Sequence, residues 1–480
     1  MPKETVQGGR LKLLSDDDVG QIHAAALRIL EQAGIRIPHA QSLAILRDAG
    51  AKAGEDEETV YLQAGLVENA LRDAPSEVLL CGRERHNDLL LAGNNVYAGT
   101  GGAELNVLDL ETGRLRESTL RDVADIARLV DALDGIDFYI RPVVARDVPH
   151  EKLDVNKYYA SLANTGKHVM GNVYFPENVE KVFRLAALVA GGTDSLLARP
   201  IVSFITSFIS APLTFNAEVC PALLEIVRRG MPVALSSVAI AGLTAPVTFA
   251  GTLAITHAEQ LAGITLCQLA NPGAPVIYGG CPGVADMRDT SFCPGSIERQ
   301  ILNAAVTQLA RHVGVPNYNL AGVTDSKIPD IQAGYEKAFG ICLSVLAGSN
   351  YIHHAAGRIA DGVAYEQYVI DNEIILMARR AVRGIEVSGE TLAVDDIISA
   401  GPGGDFISRE HTLKHFRDEF FFPAIADRRE RAAWEAAGSP DARERARVEA
   451  RRILHEHVSA PIPERIDRRI RDEFEILLPA

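Results

Sequence analysis

The chain of 480 residues carries 48 Lys and Arg against 63 Asp and Glu, a formal net charge of −15, and no Lys/Arg-rich block interrupts that balance. A phosphate backbone would be repelled by most of such a surface, which excludes nucleic acid as a partner. With 47% hydrophobic and 23% charged residues the composition is ordinary globular, and the length predicts roughly two to three folding units, an α/β barrel counting as one.

Six cysteines (Cys81, Cys220, Cys267, Cys281, Cys293, Cys342) are scattered, with no C-x-x-C pair and no His at a zinc spacing. They predict reduced thiols in a cytoplasmic protein. Met1-Pro2-Lys3-Glu4 leads into charged residues without the apolar run of a signal peptide. The most apolar stretch, 235–255, is broken by Gly242 and Pro246 and falls short of a bilayer span, so no membrane partner is expected.

Ser15-Asp16-Asp17-Asp18 reads as a capping box ahead of an amphipathic helix over 19–32, closed by Gly34. Helices over 40–48 and 64–74, with a short strand over 59–62, complete an N-terminal helical and mixed layer, 1–95, in which nothing looks chemical. From residue 96 the pattern changes. Apolar runs ending in Gly, Pro or small polar residues predict strands over 96–101, 138–144, 168–174, 201–209, 233–239, 276–280, 317–322 and 351–356. Helices are predicted between them over 120–133, 178–189, 215–229, 249–270, 297–313 and 332–346. An open doubly wound sheet gives the same local pattern with fewer repeats. Eight repeats favour a closed (β/α)8 TIM barrel, assigned to 96–400. Beyond it, 401–480 is a C-terminal helical tail with helices over 411–420, 428–438 and 440–455. Their interleaved Glu and Arg read as a solvated face that packs across the barrel or joins a second copy in a homo-oligomer.

In such a barrel the loops after the strands carry the site. The predicted strand ends are Gly99-Thr100-Gly101-Gly102, Ser207 to Pro212, Ser236-Ser237, Gly279 to Pro282 with Asp286, Val323 to Ser326, and His353-His354 with Asp361 and Glu366. They are rich in Gly, Ser, Thr and aromatics and poor in Lys and Arg, which suits a small neutral or cationic ligand. The stretch Tyr318 to Lys327 reads as a buried strand delivering Thr324, Asp325 and Ser326 into a loop; an ordinary helix-capping connection gives the same pattern. No H-E-x-x-H and no P-loop occurs, and the adjacent His353 and His354 are predicted to face opposite ways on a strand, so no metal site is expected. Gly99-Thr100-Gly101-Gly102 passes for a nucleotide or S-adenosylmethionine loop or for a plain strand-to-helix turn. Tyr97, Tyr139, Phe204, Phe208, Tyr278, Phe292, Tyr318 and Tyr351 fall on or just after strands. They read either as barrel packing or as a cage for a quaternary ammonium.

The blocks Pro246-Val247-Thr248-Phe249-Ala250-Gly251 with His257-Ala258-Glu259, Pro272 to Gly279, Gly322-Val323-Thr324-Asp325-Ser326-Lys327 with Asp330, Gln332 and Glu336, and Gly403-Gly404-Asp405-Phe406 with His411 and Trp434 resemble the trimethylamine methyltransferase family over nearly the whole chain. The resemblance implies a barrel enzyme that moves a methyl group from a methylated amine to cobalt(I) of a corrinoid (cobalamin) carried by a separate small protein. This chain has no D-x-H-x-x-G corrinoid-ligand motif of its own. The family's founding members contain pyrrolysine; every residue here is standard, which points to the branch resembling glycine betaine and other quaternary-amine methyltransferases. The implied site assigns Tyr97, Phe208, Tyr278, Phe292 and Tyr351 to a cage, and Arg288 and Arg358 to a clamp on a substrate carboxylate. Glu366, Asp325 and Gln332 orient polar groups at the rim, and Gly322, Thr324 and His354 face the corrinoid. Two other readings stay open: an S-adenosylmethionine-dependent methyltransferase using the Gly99 loop, and a barrel that binds betaine or methylamine without turning it over.

Overall fold

The computed structural model describes residues 5–479. Eight parallel strands close into a barrel: Asn95–Ala98, Phe138–Ile140, His168–Gly171, Val202–Ser207, Val233–Ser237, Val276–Gly280, Tyr318–Leu320 and Tyr351–His353. Five pair in sequence from the second to the sixth, and the last two pair with each other and with the first. Single bridges Gly99 to Phe138 and Tyr278 to Asn317 close the two remaining seams. All eight lie within the runs expected from sequence, apart from one residue at the start of the first.

Side chains alternate strictly between two cores, as the period of two along a strand requires. Tyr97, Phe138, Ile140, Met170, Ala234, Ile277, Tyr318 and Tyr351 form the inner cluster. Val96, Tyr139, Val169, Phe204, Leu235, Tyr278 and Ile352 belong to the outer cluster beneath the helices. The antiparallel hairpin Val78–Leu80 with Leu89–Leu91 adds four aliphatic side chains to the inner cluster. It sits beside the strands' starting ends, where Cys81 N donates to Pro200 O and Leu90 N to the Tyr97 hydroxyl. That end of the barrel is plugged.

Each strand is followed by a helix: Leu120–Asp131, Leu153–Asn164, Pro176–Ala190, Cys220–Arg228, Phe249–Ala270, Ile297–His312, Ile331–Ala347 and Tyr365–Arg383. The second and the last were not singled out from sequence. They bury Asp154 and Lys157, and Glu366, Asp371 and Glu373, so the apolar stripe that marks a helix is broken by charge. Ahead of the barrel, Asp16–Gln32 starts on the expected capping box, with Ser15 and Asp18 exchanging hydrogen bonds, and Ala40–Asp48 and Ala64–Asp73 follow. After it, Ala442–Glu456 lies on Tyr365–Arg383, tied by Arg443 to Glu366 at 3.1 Å. No described helix is long and apolar enough to cross a membrane.

Helix Phe249–Ala270 carries the buried Glu259, whose Oε1 accepts the Leu213 amide at 3.1 Å while Oε2 has no hydrogen-bond partner among the described residues. Burial pushes its carboxyl from 4.5 up to about 7. The unfolded chain therefore gives up this proton first as pH rises. Stability from this group is complete below about pH 4 and is lost by pH 8, a change of roughly 3 kcal/mol. Glu259→Gln is expected to flatten that slope; urea midpoints at pH 5 and pH 8 check it, and an unaltered slope would acquit Glu259.

Candidate functional site

The open end of the barrel is built from the loops after the strands. His353 ends the eighth strand pointing inward, its ring stacked on Tyr318 at 3.6 Å between centroids. By alternation His354 should face outward, as expected from sequence, but it takes a left-handed backbone with φ of 56°. That turn brings both rings to one side. Their Nδ1 atoms are 2.5 Å apart, one donating and one accepting, and His353 Nε2 meets the Cys281 sulfur at 3.5 Å. Burial, reinforced for His353 by Arg299 and Arg358 and for His354 by His353 and those arginines, holds both imidazoles well below their usual range. Burial pushes the Cys281 thiol up to about 12. The three form a neutral chain that can accept or relay a hydrogen bond but offers no thiolate. Among the described residues no group of three or more His, Cys, Asp or Glu side chains could hold a metal ion.

The glycine loop makes room for this arrangement. A Cβ on Gly101 would lie 2.6 Å from His354 Nδ1, and one on Gly99 would overlap the Phe138 ring. The protein's own side chains thus fill the space that these glycines leave.

After the seventh strand Gly322, with φ of 71°, lets the backbone pass beside Ala355, whose Cα would be 2.6 Å from an added Cβ. Its carbonyl accepts from Lys337 Nζ, which pairs with Asp371 at 3.0 Å, both fully buried. Asp371 in turn takes the Gly357 amide at 2.8 Å, so one ion pair fixes the last two loops together. Glu336 gathers three donors: the Thr324 hydroxyl at 2.5 Å, the Asp325 amide at 2.9 Å and Gln332 Nε2 at 2.9 Å. Asp325 Oδ2 accepts from Gly295 N at 2.9 Å, and burial raises its pKa. Asp325, Gln332, Thr324 and Gly322 are therefore brought together, with His354 across the neighbouring loop.

The five aromatics are not. Tyr278 points into the helix layer, its hydroxyl 2.9 Å from His257 Nδ1. Phe208, of outward parity, packs on Phe215 and sits 2.5 Å from where a Gly263 Cβ would stand. Tyr97 and Tyr351 lie inside the barrel, Tyr97 against the plug and Tyr351 stacked on Phe138 at 3.6 Å. Only Phe292 stands at the mouth, 41% exposed. A cage needs rings converging on one point; alternation sends these to the plug, the inner stack and the helix layer. Arg288 is 89% solvent-exposed at its side chain and tied to Asp286, and Arg358 is paired with Glu104 at 2.6 Å. Glu366 turns away from the mouth to Arg443. The expected clamp is not assembled by these residues.

The mouth is also more cationic than the strand ends suggested. Arg141, buried after the second strand, donates to Gly102 O and to Asn172 Oδ1, both neutral. Arg299, on helix Ile297–His312, is 2% exposed and lies over the Phe292 ring at 5.0 Å. Arg299 lies on a helix and Arg141 inside the run 138–144 predicted as strand, and nothing around them in sequence marks a site.

Residues 2–475 match the family described as trimethylamine methyltransferase (MTTB). The chain is 38% identical over 472 residues to trimethylamine methyltransferase MttB of Desulfitobacterium hafniense strain DSM 10664 / DCB-2, covering 98% of this chain and 95% of that one. It is 33% identical over 465 residues to glycine betaine methyltransferase of Desulfitobacterium hafniense strain Y51, covering 96% of each. The crystal structure of Methanosarcina barkeri monomethylamine methyltransferase aligns over 94% of this chain and 96% of that chain at 13% identity, with a TM-score of 0.48. The chain is a methyltransferase on an α/β barrel. It belongs to the trimethylamine methyltransferase family.

Proposed function

We propose that this chain removes a methyl group from a quaternary amine, glycine betaine or a related betaine, and delivers it to a corrinoid held by a separate small protein. The observation that carries the choice of donor is the pair His353 and His354, their Nδ1 atoms hydrogen-bonded to each other and His353 Nε2 set against the Cys281 sulfur, an arrangement in which burial favours the neutral rings. A quaternary ammonium leaves as a neutral amine with no proton placed on nitrogen, so a site whose histidines stay neutral suits it. The corrinoid would supply the nucleophile. The fit to such an acceptor rests on the rim. Leu243, Val247, Met287, Phe292 and Ile328 are exposed on loops after the fifth, sixth and seventh strands, and Ile331 at the start of the helix that follows the last of these. They offer an apolar collar to a large flat ring presented by another protein. Within the collar, Asp325 and Glu336 bring negative charge to a cation, Phe292 brings a ring face, and His354 lies nearest the acceptor. Holding the methyl in line and excluding water is then the chain's contribution.

The test is anaerobic incubation with reduced cobalamin and a panel of betaines and methylamines, followed by the visible spectrum of the methylated product. One quaternary amine giving product is the expected result. Silence across the panel, repeated with corrinoid proteins from the same source, would overturn the proposal.

A further inference from the structure

Residues 383–424 fold without a core of their own. None of them is buried, and none belongs to a hydrophobic cluster. The stretch nevertheless holds helices Gly389–Leu392, Val394–Ala400 and Glu410–Glu419. Polar bonds tie it together: Arg409 to Asp396 at 2.9 Å, His415 to Glu390 Oε1 at 3.0 Å, and His411 Nε2 to Glu390 O at 3.1 Å. Among the described residues, every hydrogen bond of 386–417 is made within that stretch. Its apolar side chains are left outside. Eleven of the 32 exposed large hydrophobic side chains fall within 385–422, Ile385, Ile398 and Ile407 among them.

The stretch leaves the molecule and returns at one neck, where Arg380 donates to Glu419 O at 2.9 Å and Arg383 to Asp418 O. The neck lies at the plugged end of the barrel, beside Arg10, whose Nη2 donates to Arg383 O at 3.2 Å, and Gly8, whose amide donates to Asn94 O ahead of the first strand. Ordering a residue costs about 1–2 kcal/mol of backbone entropy, and a stretch that buries nothing does not offset this with its own contacts. Those eleven side chains offer on the order of 1,000 Å² of apolar surface, against the roughly 800 Å² that one partner contributes to a standard interface. Helix Ile331–Ala347 has the matching lack of cover. Its exposed residues are Ile331, Tyr335 and Phe339, four apart on one face. Its two charged residues are engaged elsewhere, Glu336 by Thr324 and Lys337 by Asp371. Ile331 stands at the rim, and Tyr335 and Phe339 carry the stripe down the outside of the barrel.

We infer that 385–422 is an arm exchanged between two copies of this chain about a two-fold axis, each arm lying over Tyr335 and Phe339 of the other copy. Such an exchange is self-complementary, because the arm-to-helix contact is made twice. Charge agrees with it. The arm carries eight Asp and Glu against three Lys and Arg, and it meets no free carboxylate on a helix face made of Tyr335 and Phe339. The same acidity repels nucleic acid and anionic membranes. A corrinoid protein is needed at the mouth, at the end of the barrel opposite the neck. The inference stands on the arm and the helix face, independently of which amine is the donor.

The test is sedimentation of the full chain at micromolar concentration as wild type, as an arm variant (Ile397→Asp with Ile398→Asp) and as a helix variant (Tyr335→Asp with Phe339→Asp). All four positions are exposed, so circular dichroism and melting should match wild type. Wild type is expected as a dimer of the 51.8 kDa chain or a higher even number, and each variant as a monomer. An equimolar mixture of the two variants keeps one intact arm and one intact helix face. It should therefore form dimers again, roughly 100-fold more weakly, since the second linked contact is lost. Monomeric or odd-numbered wild type would overturn the inference, as would a helix variant that stays assembled or a mixture that stays monomeric. Wild type that gains mass only when a corrinoid protein is added would assign the arm to that partner and overturn the exchange. Should a variant fail to fold, amide exchange of wild type decides instead. Exchange in 385–422 should slow as concentration rises through the dissociation constant, and rates indifferent to concentration would overturn the inference.

Discussion

Lys337→Met is expected to destabilise the fold by about 3–5 kcal/mol, the cost of leaving one member of a buried ion pair alone. Lys337 and Asp371 are both inaccessible to solvent, and burial pushes the lysine down and the aspartate up. The variant keeps the volume of the side chain but removes the cation and the donor to Gly322 O. Asp371 retains the Gly357 amide and Gln367 Nε2, which are too few for a carboxylate out of water. Replacing both partners, as Lys337→Met with Asp371→Leu, should recover most of the loss, because well-packed apolar pairs replace buried ion pairs at little cost. Urea unfolding of the two single variants and the double variant measures this. A single variant as stable as wild type would show that the pair contributes nothing.

Gly101→Ala should cost roughly 100-fold in methyl transfer with little loss of stability, the penalty expected of displacing a positioned group by about 1 Å. The added Cβ would stand 2.6 Å from His354 Nδ1 and 2.7 Å from His354 N. Neither contact relaxes by rotating a flexible chain end, since one atom is backbone and the other is held by His353. The ring must move, and with it the hydrogen bond that ends at Cys281. His354→Ala alone removes the same group, so adding Gly101→Ala to it should change the rate no further. Rates of methyl transfer for the two single variants and the double variant decide the matter. Full additivity would mean that Gly101 acts through something other than His354.

How much of this was legible in the sequence follows from what each feature depends on. The barrel strands were, because each is an apolar run ended by Gly, Pro or a polar loop, and turn residues act locally. Helix Phe249–Ala270 was readable to its last residue, being apolar almost throughout and ended at Asn271. Leu153–Asn164 escaped since Asp154 and Lys157 satisfy each other inside the protein at 2.6 Å, a pairing that reads from sequence as exposed polarity. The site was legible only where one loop and the start of the helix after it hold it together, as with Thr324, Asp325, Gln332 and Glu336. Phe208 and Tyr278 were misread because the face of a strand residue follows from the parity of its neighbours across the sheet, and two aromatics near a strand end look alike whichever face they take. The left-handed turn at His354 is made possible by glycines some 250 residues away in the chain. That Arg299 is buried without a carboxylate partner among the described residues depends on what surrounds it in space, which its neighbours in sequence do not show.

Among the described residues the hairpin closes the barrel's starting end, which leaves the loop end as the way in. Tyr97 packs on that hairpin, and the Tyr351, Tyr318 and His353 rings fill the axis above it. Nothing as large as a betaine passes from below. If the acceptor comes on a second protein seated over the apolar collar, it closes the same door through which the amine entered. Donor must then precede acceptor, and the demethylated amine must wait for the partner to depart. Steady-state kinetics would show a compulsory order of addition, and excess partner protein would slow turnover by trapping the leaving amine inside.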